Sequence, residues 1–222
     1  MKKTLALGIV VVMLLACVGA VSAALITNGG FESPETVNWQ VYADGTSDLA
    51  WKVEQGLGAD PSITPTLEIQ TQAAIGLTPY VGDQFAELDS YANVKISQLI
   101  STTAGKTYEI SFAQACRNDG GENPSLLGVY WGDTYLGQTS CTPTMTWVTH
   151  NYSPTASSTG QVKLMFVDEG VSNSYGVLLD DVDVVEQENN VPVPEFPTVA
   201  LPAVLIVGLI GAILFIQKSK EE

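Results

Sequence analysis

Basic residues are scarce in this chain. Nine lysines and arginines stand against 24 aspartates and glutamates, for a formal net charge of -15. So negative a surface repels phosphate backbones, which excludes nucleic acid as a partner. Histidine occurs once, as His150, too few for a metallohydrolase centre. H-E-x-x-H, G-x-S-x-G and phosphate-loop patterns are missing, and no cysteine–histidine pair offers a nucleophile with its base. Among so many acids no carboxylate pair stands out for glycoside hydrolysis. The chain therefore reads as a non-enzyme. Internal repeats, low-complexity tracts and helical periodicity are lacking too.

Cysteine is nearly absent. There are three, and Cys17 lies in an apolar N-terminal run. That leaves Cys116 and Cys141, which in an exported chain read as one disulfide. Two buried thiols are the alternative in a reducing habitat.

Long apolar runs are confined to the two ends. At the N-terminus Lys2 and Lys3 precede an apolar stretch from Leu5 to Ala16, and Val21-Ser22-Ala23 closes it with small residues. This is the pattern of a secretory signal peptide over residues 1–23. The run "LLAC" ending at Cys17 also matches a lipid-attachment box, but apolar rather than polar residues follow it. At the C-terminus residues 199–216 carry no charge. As a helix they would be about 27 Å long, near the ~30 Å of a hydrocarbon core. Lys218 and Lys220 follow in a short basic tail, 217–222, expected in the cytoplasm. A proline-rich linker, 191–198, precedes the span, and proline keeps such a segment extended. The reading from the residues alone is a single-pass membrane anchor.

Between the ends lies a body of ordinary domain size, 24–190. It reads as strands almost throughout. Period-two or β-rich runs occur at "WQVYA", "AWKVEQ", "TLEIQ", "QFAELD", "VKISQLIS", "TYEISFAQA", "LLGVYW", "TYLGQTS", "TWVTHNY", "QVKLMFV" and "GVLLDDVDVV". Turn chemistry separates them, as in "NGG", "TTAGK" and "SSTG". Short strands at this spacing predict an all-β fold, an antiparallel β-sandwich.

Three segments carry a resemblance. "LITNGGFE" opens the body, "ISQLISTTAGKTYEISFAQA" lies at its middle and "GVLLDDVDVVE" closes it. They resemble the first strand, the central hairpin and the last strand of the galactose-binding-like jelly roll. Carbohydrate-binding modules and a family of plant and bacterial cell-wall domains of unknown function share that pattern. The C-terminal order of Pro194-Glu195-Phe196, apolar span and basic cluster resembles the PEF-type sorting tails of archaeal surface proteins. In that family a membrane-embedded sorting enzyme cuts near the motif and passes the protein to a lipid. The resemblances imply an exported jelly roll at the outer face of the cell membrane, with a cell-surface polysaccharide as partner. A structural or adhesive envelope protein without a soluble glycan ligand is the alternative.

Two sets of residues are candidate sites. Period two puts Asp180 on one stripe with Leu178, Val182 and Val184, and a carboxylate buried there needs a cation or a set of donors. With Glu32, and Asp181 as a weaker ligand, it would suit calcium, a structural ion that the resembling family often holds at these motifs. Backbone donors alone would also satisfy Asp180. For sugar binding, rings that stack on C–H faces beside polar groups are the required chemistry. "YWGDTY" offers Tyr130, Trp131 and Asp133, and the loop after Cys116 offers Arg117 and Asn118. Trp39 and Trp51 read as core.

Overall fold

The computed structural model describes residues 25–117 and 125–187. Eleven strands form in the order β1 (Trp39–Ala43), β2 (Lys52–Gln55), β3 (Thr66–Thr71), β4 (Gln84–Glu87), β5 (Val94–Thr102), β6 (Thr107–Cys116), β7 (Ser125–Trp131), β8 (Thr134–Cys141), β9 (Val148–Tyr152), β10 (Gly160–Asp168) and β11 (Val177–Gln187). One helical turn, α1 (Gln72–Ile75), follows β3; Thr71 caps its start and Gly76, at φ 82°, ends it. All eleven predicted runs are strands.

The strands make two antiparallel sheets. One has six strands in the order β1-β3-β4-β11-β6-β9, the other five in the order β2-β5-β10-β7-β8. The arrangement is a two-sheet sandwich consistent with a jelly roll. Alternation explains the layering. Tyr108, Ile110 and Phe112 from β6 face Leu127, Val129, Leu164 and Phe166 from the other sheet, and all are buried in one core. Trp51 stacks on Phe31 at 5.5 Å inside it.

Three expectations about local structure are corrected. The middle segment is not a hairpin: β5 pairs with β2 and β10, β6 with β9 and β11, so the "TTAGK" turn crosses between sheets. The opening "LITNGGFE" forms no strand. It lies against β11 through two separate bonds, Leu25 N–H to the Val184 carbonyl (3.4 Å) and Val182 N–H to that of Gly29 (3.0 Å). Approach is so close that a Cβ on Gly29 would meet the Val182 oxygen at 1.9 Å, which only glycine avoids. The third correction concerns Asp180. The register of β11 against β6 shifts between Asp180 and Asp183, and Asp181 sits at φ 50°. This bulge reverses the parity of the strand. Val177, Leu179, Val182 and Val184 face the core, whereas Leu178 belongs to a second apolar cluster on the other side of the sheet. Asp180 shares the parity of Leu178 and leaves the Val182 stripe.

Cys116 and Cys141 form a disulfide with their Cα atoms 5.7 Å apart, tying the end of β6 in one sheet to the end of β8 in the other. Closing a loop of 25 residues stabilises the fold by about 3.5 kcal/mol in the chain-entropy treatment. Denaturant titration with and without reductant is expected to differ by about that amount; coincident curves would contradict it.

Among the described residues no helix is long and apolar enough to cross a membrane. The predicted signal peptide at 1–23, the linker with Pro194, Glu195 and Phe196, the span at 199–216 and the tail at 217–222 lie outside the described residues.

Candidate functional site

The outer face of the six-stranded sheet is divided. Across one half, Phe85, Ala115, Leu178 and Leu77 form a small apolar cluster, sealed by Ile75, Met145 and Trp147. Trp147 pins the covering segment by donating its indole N–H to the Thr78 carbonyl at 2.8 Å. The other half is polar and open. Strand register sets its floor: Glu68 lies opposite Glu87 across β3 and β4, and Gln70 lies between Trp39 and Phe85.

The floor is tightly wired. Gln70 Nε2 donates to Glu68 Oε1 at 2.8 Å and to Glu87 Oε2. Ser90 Oγ donates to Glu68 Oε2 at 2.7 Å, and the Gly176 amide to Glu87 Oε1 at 2.9 Å. Arg117, the chain's only arginine, donates from Nη1 to Glu87 Oε2 at 3.1 Å and lies 4.8 Å above the Tyr175 ring. Burial pushes the Glu87 carboxyl up to about 8, against the opposing pull of Arg117 and the Gly176 amide. The loop carrying Tyr175 is held by Asp89, which accepts from the amides of Asn173 (2.7 Å) and Ser174 (2.9 Å).

Above this floor is a pocket of about 310 Å³, at the small end of ligand pockets. Trp39, Glu68, Gln70, Ser90, Tyr91 and Arg117 line it, with α1 along one side. Trp39 is 49% exposed and Tyr91 56%, so two rings stand free at its rim. Within the floor one buried atom, Gln70 Oε1, has no partner among the described residues. In this orientation the amide nitrogen, not the oxygen, faces the Glu68 carboxylate.

The structure separates the predicted sugar-binding residues. Arg117 lies in this pocket. Trp131 does not: it is 5% exposed, packed 5.5 Å from Tyr108 in the core, so neither ring face can meet a sugar. Tyr130 is on the outer face of the five-stranded sheet, where its hydroxyl donates to Glu169 Oε1 at 3.0 Å and its ring meets Tyr135 at 4.9 Å. Asp133 is exposed in the β7–β8 turn. Asn118 lies outside the described residues. The sequence reading missed Glu68, Gln70, Glu87, Ser90 and Tyr91, and placed Trp39 in the core.

Glu32 and Asp180 do come together. A Cβ on Gly30 would lie 3.9 Å from Asp180 Oδ1 and 4.0 Å from Glu32 Oε1. Both carboxylates hold one loop. Asp180 Oδ2 accepts from the amides of Tyr80 (2.8 Å) and Val81 (3.0 Å), and Oδ1 from that of Asp181 (2.7 Å). Glu32 Oε1 accepts from Asp83 (3.0 Å) and Gln84 (3.2 Å). Asp181 stands beside Asp180 at the bulge, and burial, with Asp183 nearby, raises its carboxyl. Among the described residues no group of three or more acidic, histidine or cysteine side chains is placed to hold a metal.

Burial raises the Asp180 carboxyl to about 7 against those three amides, and that of Asp168 to about 6. Each keeps its proton in the fold at a pH where the unfolded chain has lost it. Their contribution is complete below about pH 4 and falls away as pH rises from there through about 6 for Asp168 and about 7 for Asp180. His150, lowered by burial, acts oppositely but below about pH 6.5. Thermal unfolding midpoints are therefore expected to drop by several degrees between pH 7 and pH 9, with Asp180 and Glu87 responsible; a flat or rising profile would contradict this.

Fold and groove together define a class: an antiparallel β-sandwich presenting an open, aromatic-rimmed sheet face. No protein-family model and no curated protein matches the chain. Among solved structures it is similar to a family 61 carbohydrate-binding module in complex with beta-1,4-galactotriose, at TM-score 0.45 and 20% identity over 75% of this chain and 100% of that one. It is similar to a family 4 carbohydrate-binding module at TM-score 0.43 and 20% identity, over 73% of this chain and 99% of that one. A third is the CBM22-1 xylan-binding domain from Paenibacillus barcinonensis Xyn10C, at TM-score 0.40 and 15% identity, over 74% and 95%.

Proposed function

We propose that this domain binds a glycan, without catalysis, on the open half of its six-stranded sheet. The observation that carries the reading is the pairing of free rings with an unsatisfied floor. Trp39 and Tyr91 stand exposed at the rim, and in the floor Gln70 Oε1 is buried without a donor among the described residues. Sugars offer both halves of that match, C–H faces for rings and hydroxyls for an orphaned acceptor. Calorimetric titration against soluble polysaccharides tests it. Saturable heat with one of them is the expected result; no heat from any would overturn it.

The chain's ends support a location. A signal peptide at 1–23 and a span at 199–216 behind Pro194-Glu195-Phe196 would export the domain and hold it at the outer face of the cell. A sorting enzyme would exchange that span for a lipid. Mass spectrometry of the native C-terminus tests the exchange, and a mature peptide containing residues 205–216 would refute it. Calcium belongs to this reading at Glu32 and Asp180, beside backbone carbonyls. Of about four acceptor sites on a carboxylate, Asp180 already uses three on amides and Glu32 uses two. Glu32 Oε2 would thus be the main side-chain ligand. A melting temperature raised by calcium and restored by chelator is the expected result; no change would remove the ion.

A further inference from the structure

The floor also limits what kind of sugar can sit on it. Around the pocket, acceptors outnumber donors. Glu68 presents two carboxylate oxygens and Gln70 Oε1 a third acceptor, beside the buried carboxyl group of Glu87, and all belong to buried or half-buried residues. Several donors are already engaged: Gln70 Nε2 with Glu68 and Glu87, Ser90 Oγ with Glu68, and Arg117 Nη1 with Glu87. Arg117 is the only cation lining the pocket among the described residues, and its Nη1 lies 3.1 Å from Glu87 Oε2. A ligand carboxylate would bring further acceptors and a like charge against Glu68. A ligand donor would complete the one pocket atom left without a partner among the described residues.

We propose that this pocket selects sugar units bearing a hydrogen-bond donor and no carboxylate, with Gln70 Oε1 as the receiving atom and Glu68 as the group that rejects uronates. The inference rests on the glycan reading and names its substrate class. A hydroxyl of a neutral sugar and the ammonium of an unacetylated amino sugar share the required chemistry. Like-charge rejection at a desolvated site is a larger source of selectivity than one added contact.

The test is calorimetric titration of the full chain with three hexasaccharide sets: neutral β-1,4-linked glucose, mannose, xylose and galactose; hexaglucosamine; and hexagalacturonate. The neutral or the amino set is expected to bind at least tenfold tighter than the uronate. Tighter binding of the neutral set identifies a hydroxyl as the donor, and tighter binding of hexaglucosamine an ammonium. Because the whole surface is acidic, two variants of equal net charge separate pocket from surface. Glu68→Gln is expected to narrow the gap severalfold. Glu109→Gln, on β6 and bonded to Gln187 at 2.8 Å away from the pocket, is expected to leave it unchanged. Equal binding of the uronate, or equal narrowing by both variants, would overturn the selectivity while leaving the glycan reading intact. Binding of none of the three sets would overturn both. Should Glu68→Gln fail to fold, Ser90→Ala, which removes one of the donors to Glu68, replaces it. It is expected to widen the gap, and an unchanged or narrower gap would overturn the role of Glu68.

Discussion

Alanine in place of Trp39 is expected to weaken glycan binding by about thirtyfold while leaving the fold intact. Losing a rim aromatic that stacks on the ligand costs about 2 kcal/mol at a binding hot spot, and each 1.4 kcal/mol is a factor of ten. The ring is 49% exposed and belongs to neither apolar cluster, so stability should move by less than about 1 kcal/mol. Trp131 provides the contrast. It is 5% exposed and packed in the core, so Trp131→Ala should cost about 3–5 kcal/mol of stability. Calorimetry beside thermal melting measures both. Unchanged affinity in Trp39→Ala would remove the ring from the site.

Asp180→Ala is expected to cost about 3–5 kcal/mol, through the loop it anchors. Its carboxylate is fully buried and receives three amides, those of Tyr80, Val81 and Asp181. Alanine would leave those part-buried donors without their partner, at up to about 1–3 kcal/mol for each unsatisfied group before relaxation. The segment then freed is the one Trp147 grips at Thr78, so the cover over Phe85 and Leu178 should loosen with it. Asp180→Asn keeps one acceptor oxygen and should recover part of the loss. It should also flatten the fall in stability between about pH 4 and pH 7, because an amide has no proton to release. Denaturant unfolding gives the cost, and amide exchange at Tyr80 and Val81 locates it. A loss below 1 kcal/mol with unchanged exchange would contradict the anchor.

Strands were legible because alternation is a local property. "TYEISFAQA" and "QVKLMFV" carry their buried faces in their spelling, and both are strands with those faces inward. What period two cannot show is a change of parity or of sheet. The bulge at Asp181 turns Asp180 away from Val182, and the "TTAGK" turn, which reads like a hairpin, crosses from one sheet to the other. Part of the site error was avoidable. Trp131 shares parity with Leu127 and Val129, both core residues, so its inward direction was written in "LLGVYW". Trp39 gave no such signal, since it opens β1 at the edge of its sheet. In "TLEIQT" the outward direction of Glu68 and Gln70 follows from inward Leu67 and Ile69. That they meet Glu87, Arg117 and a loop held by Asp89 depends on strand order, which no single segment encodes.

The most direct test of the central claim is fluorine NMR of the chain labelled with 5-fluorotryptophan. Four tryptophans give four signals, assigned by single Trp→Phe substitutions. Trp39 lies at the pocket, Trp147 over the second apolar cluster, and Trp51 and Trp131 in the core. Titrated with a polysaccharide that binds, the Trp39 signal should shift saturably with the calorimetric affinity while those of Trp51 and Trp131 hold still. A saturable shift at Trp131 or Trp51 with Trp39 unmoved would place the glycan elsewhere and contradict the sheet-face site.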